Sequence, residues 1–182
     1  MMKTRLLLQI GLLSALFSLG LGCAAQAQAP ATAATPEADS TLIWQISVVE
    51  SEITANISST KAFVEYGGDV NQVSYSDQPS EGNVYLLVLA NIDKNQPGKE
   101  KFVWSELSVL DADGNAYARM DNDTFLETHG LPRIKSTDLS IGNNHGYVCF
   151  EVPATTDVSK LTLVYAAEGS AQKIALSPSV SK

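Results

Sequence analysis

From Leu42 onward the chain alternates apolar and polar positions with a period of two. That is the pattern of strands buried on one side. It is clearest in Leu139–Tyr165. Within Gly146–Val152, Val148, Phe150 and Val152 share one face, with Tyr147, Cys149 and Glu151 on the other. Within Leu161–Tyr165, Leu161, Leu163 and Tyr165 alternate with Thr162 and Val164. A Gly/Asn/His turn precedes the first run and Pro153 opens the connection, so the pattern predicts two late strands. Upstream, Leu42, Trp44, Ile46 and Val48 alternate with Gln45 and Ser47, and Ile53, Ala55 and Ile57 continue the period. This predicts either two strands joined near Glu50-Ser51 or one long strand with a bulge there. Val84–Ala90, VYLLVLA, is continuously apolar between Gly82-Asn83 and Asn91. It is too short for an ordinary helix and reads as a central strand covered on both faces.

The intervening segments follow the same grammar. Ala62–Tyr66 and Val70–Tyr75 are candidate short strands around a Gly67-Gly68-Asp69 hairpin turn, with residues 58–82 open between strands and loop. Ile92–Lys101 reads as a polar connection and Trp104–Leu110 as a strand with Leu107 and Val109 inward. Asp111-Ala112-Asp113-Gly114-Asn115 turns the chain into a returning run, Ala116–Met120. Asp121–Asp138 is irregular, with room for one helical turn at Asp123–His129. Ala171–Leu176 is a candidate edge strand, and 177–182 a tail. Many short strands, frequent turns and no helix of ten residues or more after residue 40 imply an all-β, antiparallel β-sandwich.

The N-terminus changes where this domain is expected to reside. Met1–Arg5 carries two positive charges, Leu6–Leu21 is mostly apolar, and Gly22-Cys23-Ala24-Ala25 is small. That order is the order of a secretory signal. Leu19-Gly20-Leu21-Gly22-Cys23 resembles the lipobox of bacterial lipoproteins, which would make Cys23 the lipidated first residue, with Gly20 standing where Leu is usual. Ala25-Gln26-Ala27 offers ordinary signal-peptidase cleavage instead. The expected organisation is a signal peptide over 1–22, an Ala/Pro/Thr-rich linker over 23–40, the sandwich over 41–176 and the tail. The expected location is the cell envelope as a lipoprotein, with a secreted or periplasmic soluble form as the alternative. Net charge is −8, and loss of Lys3 and Arg5 with the leader lowers it by two to −10. An acidic chain does not suit nucleic acid, whose phosphates demand a basic stripe.

Several of these pieces together are similar to a known family. They are Asn83–Asn91 followed by Phe102, then Leu110–Tyr117 around Asp-Gly, then Gly146–Pro153 ending in Phe-Glu-Val-Pro, with Leu161–Tyr165. They resemble the bacterial telokin-like domain-of-unknown-function family, over roughly residues 42–176 and best after Gly82. The resemblance implies an immunoglobulin-like β-sandwich carried by exported lipoproteins and surface proteins. The shared positions are structural, so it implies no catalytic residues. Ser58–Gly82 has no clear counterpart in the family, and Cys149 stands where a plain apolar or small residue is more usual.

Candidate chemistry is sparse. Asp111, Asp113, Asp121 and Asp123 are weak calcium candidates, being hard oxygen ligands without the downstream glutamate of a full calcium loop. His129, His145 and Cys149 lack a close zinc or copper spacing, and no metal or other cofactor is expected. Cys149 lies opposite Phe150, a face expected to be outward, which would leave a partly exposed free thiol. No Gly-x-Ser-x-Gly elbow surrounds any serine, and the chain reads as a non-enzyme. Trp44 and Trp104 read as packing residues. The leading expectation is a non-enzymatic envelope module binding an envelope or extracellular protein through its loops. Asp69, Asp77, Asp121, His129, Arg133, Asn143 and His145 are the candidate contact residues. A small-ligand or calcium-binding accessory lipoprotein is the alternative. A hydrolase stands third, because it requires a nucleophile and a base that converge in space.

Overall fold

The computed structural model describes residues 41–134, 139 and 142–179. The expected signal peptide, Cys23 and the linker lie outside the described residues, as does the end of the tail. The described chain is all-β, with antiparallel sheets and a single four-residue helix. Among the described residues no helix is long and apolar enough to cross a membrane.

Strand β1 (Trp44–Thr54) pairs with β4 (Asn83–Lys94), which pairs in turn with β7 (Gly142–Pro153). The second sheet has the order β6 (Ala116–Ala118), β5 (Leu107–Leu110), β8 (Thr162–Tyr165), β9 (Gln172–Ala175). The two late strands are therefore split between the sheets, and Pro153–Leu161 carries the chain from one to the other. Their inward residues meet again in one core, where Val148, Phe150 and Val152 join Leu161, Leu163 and Tyr165. Leu86, Val88 and Ile92 from β4 and Leu107 and Val109 from β5 complete its centre. Phe102 stacks on Tyr165 with ring centroids 4.4 Å apart and meets Trp44 edge-on at 5.5 Å.

Strand β1 is one long strand with a bulge. Val48 pairs with Ala90 but Glu50 with Leu89, so one residue, Val49, is extra and exposed. A one-residue insertion reverses which side chains face the core. Before it Trp44, Ile46 and Val48 point inward; after it Ser51 and Ile53 do. Ser51, fully buried, donates its hydroxyl to Ser177 O at 2.5 Å and accepts from Ser179 N at 2.9 Å, so the start of the expected tail is docked here.

Three other expectations change. Strand β4 runs three residues past Asn91, and Lys94 ends it by donating to the carbonyls of Gly98 and Glu100, which fixes the following loop. Trp104–Glu106 forms a 3-10 turn, so the strand begins only at Leu107. The face of β7 bearing Cys149 is covered, not outward. A second core there gathers Ile57, Tyr85, Leu87, Leu126 and Cys149, with Phe125 stacked on Tyr85 at 5.2 Å. Its lid is the segment 119–134 carrying α1 (Phe125–Thr128), the one helical turn the sequence allows. The segment is tied to the open edge of β7 by Met120 N to Cys149 O and Tyr147 N to Pro132 O. Gly146 permits this approach, since a Cβ there would lie 2.8 Å from the carbonyl carbon of Arg133.

Residues 58–82 are mostly strand. β2 (Ile57–Val64) and β3 (Val70–Asp77) pair with each other and with neither larger sheet, around a turn containing Gly67 and Gly68 at φ 128° and 93°.

Candidate functional site

The candidate contact residues fall into separate places. Asp69 is in the hairpin turn, its carbonyl accepting from Glu65 N. His145 is exposed on β7, its Nδ1 2.7 Å from Asn91 Oδ1, and Asn143 is paired with Asp93 two positions away. His145 and Cys149 are four positions apart, about 13 Å along a strand, with Tyr147 between them. The pair does not converge.

Asp121, Asp123 and Arg133 do meet, on the segment that covers β7. Asp123 is buried, and its two carboxylate oxygens accept from Arg119 Nη1 and Arg133 Nη1, each at 2.8 Å. Arg133 Nε also donates to Glu127 at 3.0 Å, and the Arg119 guanidinium lies 4.7 Å from the Trp104 ring centre. Exposed Asp121 adds a longer contact to Arg119, at 3.4 Å. A buried carboxylate needs such compensation, and Asp123 has it on both oxygens. Asp111 is used differently. Its Oδ1 accepts from the backbone of Asp113 and Asn115, and its Oδ2 from Asn115 Nδ2 and Tyr117 OH. Those bonds, that from the Asn115 side chain first, hold its carboxyl below the ordinary range. The carboxylates of Asp121 and Asp123 are thus partnered by arginines and that of Asp111 by its own turn, to which Asp113 lends its backbone N–H. Among the described residues no three His, Cys, Asp or Glu side chains gather as a metal set.

The thiol of Cys149 is enclosed, in contrast to the expectation of partial exposure. Burial, and after it the negative charges of Asp123 and Glu151, push it up to about 12. A thiol so held stays protonated and unreactive at neutral pH.

Convergence occurs at residues 59, 77 and 129. His129, at the C-terminal end of α1, directs Nε2 to Asp77 Oδ2 and Nδ1 to Ser59 Oγ, both at 2.8 Å. Its side chain is 1% exposed, whereas that of Asp77 is 41% exposed. In the tautomer protonated on Nε2, Asp77 accepts from Nε2–H and Nδ1 accepts the Ser59 hydroxyl proton. Asp77 and His129 are among the sequence candidates; Ser59 is not. Nothing local marks it, because it stands 70 positions from His129, which itself stands 52 from Asp77.

Beyond this junction the hairpin is open. Phe63 is 46%, Val64 74%, Val70 61% and Val73 42% exposed, and Tyr66 wholly so. By contrast the outer edge of β1 is occupied, its backbone bonded by the side chains of Ser170 and Gln172. A groove of about 310 Å³ lies elsewhere, between Asp111–Tyr117 and Pro153–Leu161. Comparison of the chain with protein-family models, curated proteins and solved structures finds no match.

Proposed function

We propose that this chain is an exported cell-envelope recognition module, anchored through lipid on Cys23, whose immunoglobulin-like sandwich presents the hairpin β2–β3 to an envelope or extracellular protein. One observation carries the reading. The hairpin pairs with neither larger sheet, yet exposes Phe63 and Val73 on one face and Val64 and Val70 on the other, with Tyr66 at its turn. Apolar side chains left in water on both faces of one two-stranded element are the mark of an interaction site. The anchor and the tether rest on Leu19–Cys23 and the Ala/Pro/Thr-rich run after it. The sandwich type rests on the family resemblance and on two sheets sharing one core.

The test is crosslinked co-purification of the tagged chain from intact cells, beside the double variant Phe63→Ser/Val73→Ser. A protein recovered with the wild type and lost with the variant supports the reading. Equal recovery with the wild type and the variant places contact elsewhere and contradicts it. The small-ligand reading has one supporting feature, the groove beside Asp111 and Asp157, where Thr155, Thr156 and Lys160 add polar groups.

A further inference from the structure

We propose that Ser59 is an acyl-accepting nucleophile, activated by His129 and Asp77, for uncharged carboxylic esters with an apolar acyl chain. The three side chains come from three elements and meet in one line, Ser59 Oγ to Nδ1 and Nε2 to Asp77, at 2.8 Å on each side. Each link has a chemical use. Asp77 holds the tautomer in which Nδ1 bears a lone pair toward the Ser59 hydroxyl, and the buried ring cannot turn away to water.

The hairpin register adds a donor for the oxyanion. Glu65 N donates to Asp69 O at 2.8 Å, and the pairing continues without slippage through Val64–Val70 to Ile57–Asp77. Hydrogen-bonded and non-hydrogen-bonded pairs alternate along an antiparallel ladder. Ser59–Tyr75 is therefore of the bonded kind and Thr60–Ser74 is not, which turns the Thr60 N–H away from β3. Among the described strands β2 pairs with β3 alone, so this N–H, one residue after the nucleophile, faces the open edge. A single N–H aimed at developing charge contributes transition-state stabilisation.

The same register sets the substrate class. Ser59, Lys61 and Phe63 of β2 share a face with Tyr75 and Val73 of β3. Phe63 and Val73 are half exposed there, and the strand rises about 13 Å from Ser59 to Phe63. With its carbonyl at Ser59, an apolar acyl chain would run along Tyr75, Val73 and Phe63, past Lys61, whose Nζ lies 5.6 Å from the Tyr75 ring centre.

In the step itself Ser59 Oγ forms a bond to the ester carbonyl carbon as its proton passes to His129 Nδ1. Collapse of the tetrahedral adduct breaks the bond to the alcohol oxygen, which leaves with the proton from Nδ1. Water then attacks the Ser59 ester by the same route, releasing the carboxylic acid and restoring the hydroxyl and the neutral imidazole.

The purified full-length chain is treated with a fluorophosphonate probe and mapped by mass spectrometry, and 4-nitrophenyl octanoate and acetate hydrolysis is measured in parallel. The expected result is adduct on Ser59 in the wild type and none on Ser59→Ala. Hydrolysis of octanoate exceeds that of acetate and falls about 100-fold in His129→Gln, with Asp77→Asn lowering turnover while leaving KM near the wild-type value. No adduct on wild-type Ser59, adduct spread over other serines, or a Ser59→Ala rate equal to wild type overturns the proposal. A His129→Gln variant that loses thermal stability alone, with labelling of Ser59 unchanged, also overturns it, since the imidazole is then only a clasp.

Discussion

Cys149 lies beneath the covering segment and Asp123 within it, and each makes a measurable demand on it. The thiol is sealed under Leu126 and Tyr85, so iodoacetamide should leave the Cys149 peptide unmodified in the native protein and alkylate it once urea unfolds the chain. Its titration has a definite sign. The folded thiol holds its proton up to about 12, above its ordinary value of 9.0, so the unfolded chain loses that proton first. The contribution is fully present below pH 9 and is lost as pH rises toward 12. Tyr85, pushed from 10.0 to about 12 chiefly by burial, acts in the same direction. Thermal unfolding midpoints should therefore fall between pH 9 and 12, and less steeply for Cys149→Ala. For Asp123→Ala, two largely buried guanidinium groups lose their shared acceptor, which should cost about 3 kcal/mol in urea denaturation. None of this is readable from residues 147–151 alone. Alternation correctly divides Val148 and Phe150 from Cys149, but one strand cannot show that a segment some 20 positions earlier covers its other face.

The elements are more legible than their partners. Continuous apolarity identifies β4 as doubly covered, and Gly67-Gly68-Asp69 between two β-rich runs marks the hairpin. The bulge at Val49 is ambiguous in sequence because an inserted residue resembles a new strand until pairing with Leu89 and Ala90 is seen. The attachment of the hairpin is invisible for the same reason. His129 reaches both of its strands, and Ile57 alone of their residues enters the second core. His129→Ala should therefore release the hairpin selectively. Amide hydrogen exchange over 57–77 should quicken by at least about tenfold, an opening free energy lower by roughly 1.4 kcal/mol, while β4 and β7 keep their protection. Uniform acceleration across all strands would show instead that the hairpin and the core unfold as one unit.

At the level of the molecule, two sheets around one core form a frame closed at most of its margins. Ser170 and Gln172 bond along β1, the 119–134 segment lies on β7, and Ser177 and Ser179 bridge the bulge. Proteins block strand edges in such ways because open edges recruit other chains. The hairpin is the exception, with exposed apolar side chains and an open β2 edge. The proposed division of labour is thus frame, tether and contact element. The most direct measurement is site-specific photo-crosslinking in intact cells. A photoreactive residue is placed in turn at position 63, at position 73, and at Thr155, which is exposed just past the end of β7. Contact through the hairpin predicts a discrete protein adduct from positions 63 and 73 and none from 155. Adducts from 155 alone, or equally from all three, would contradict it.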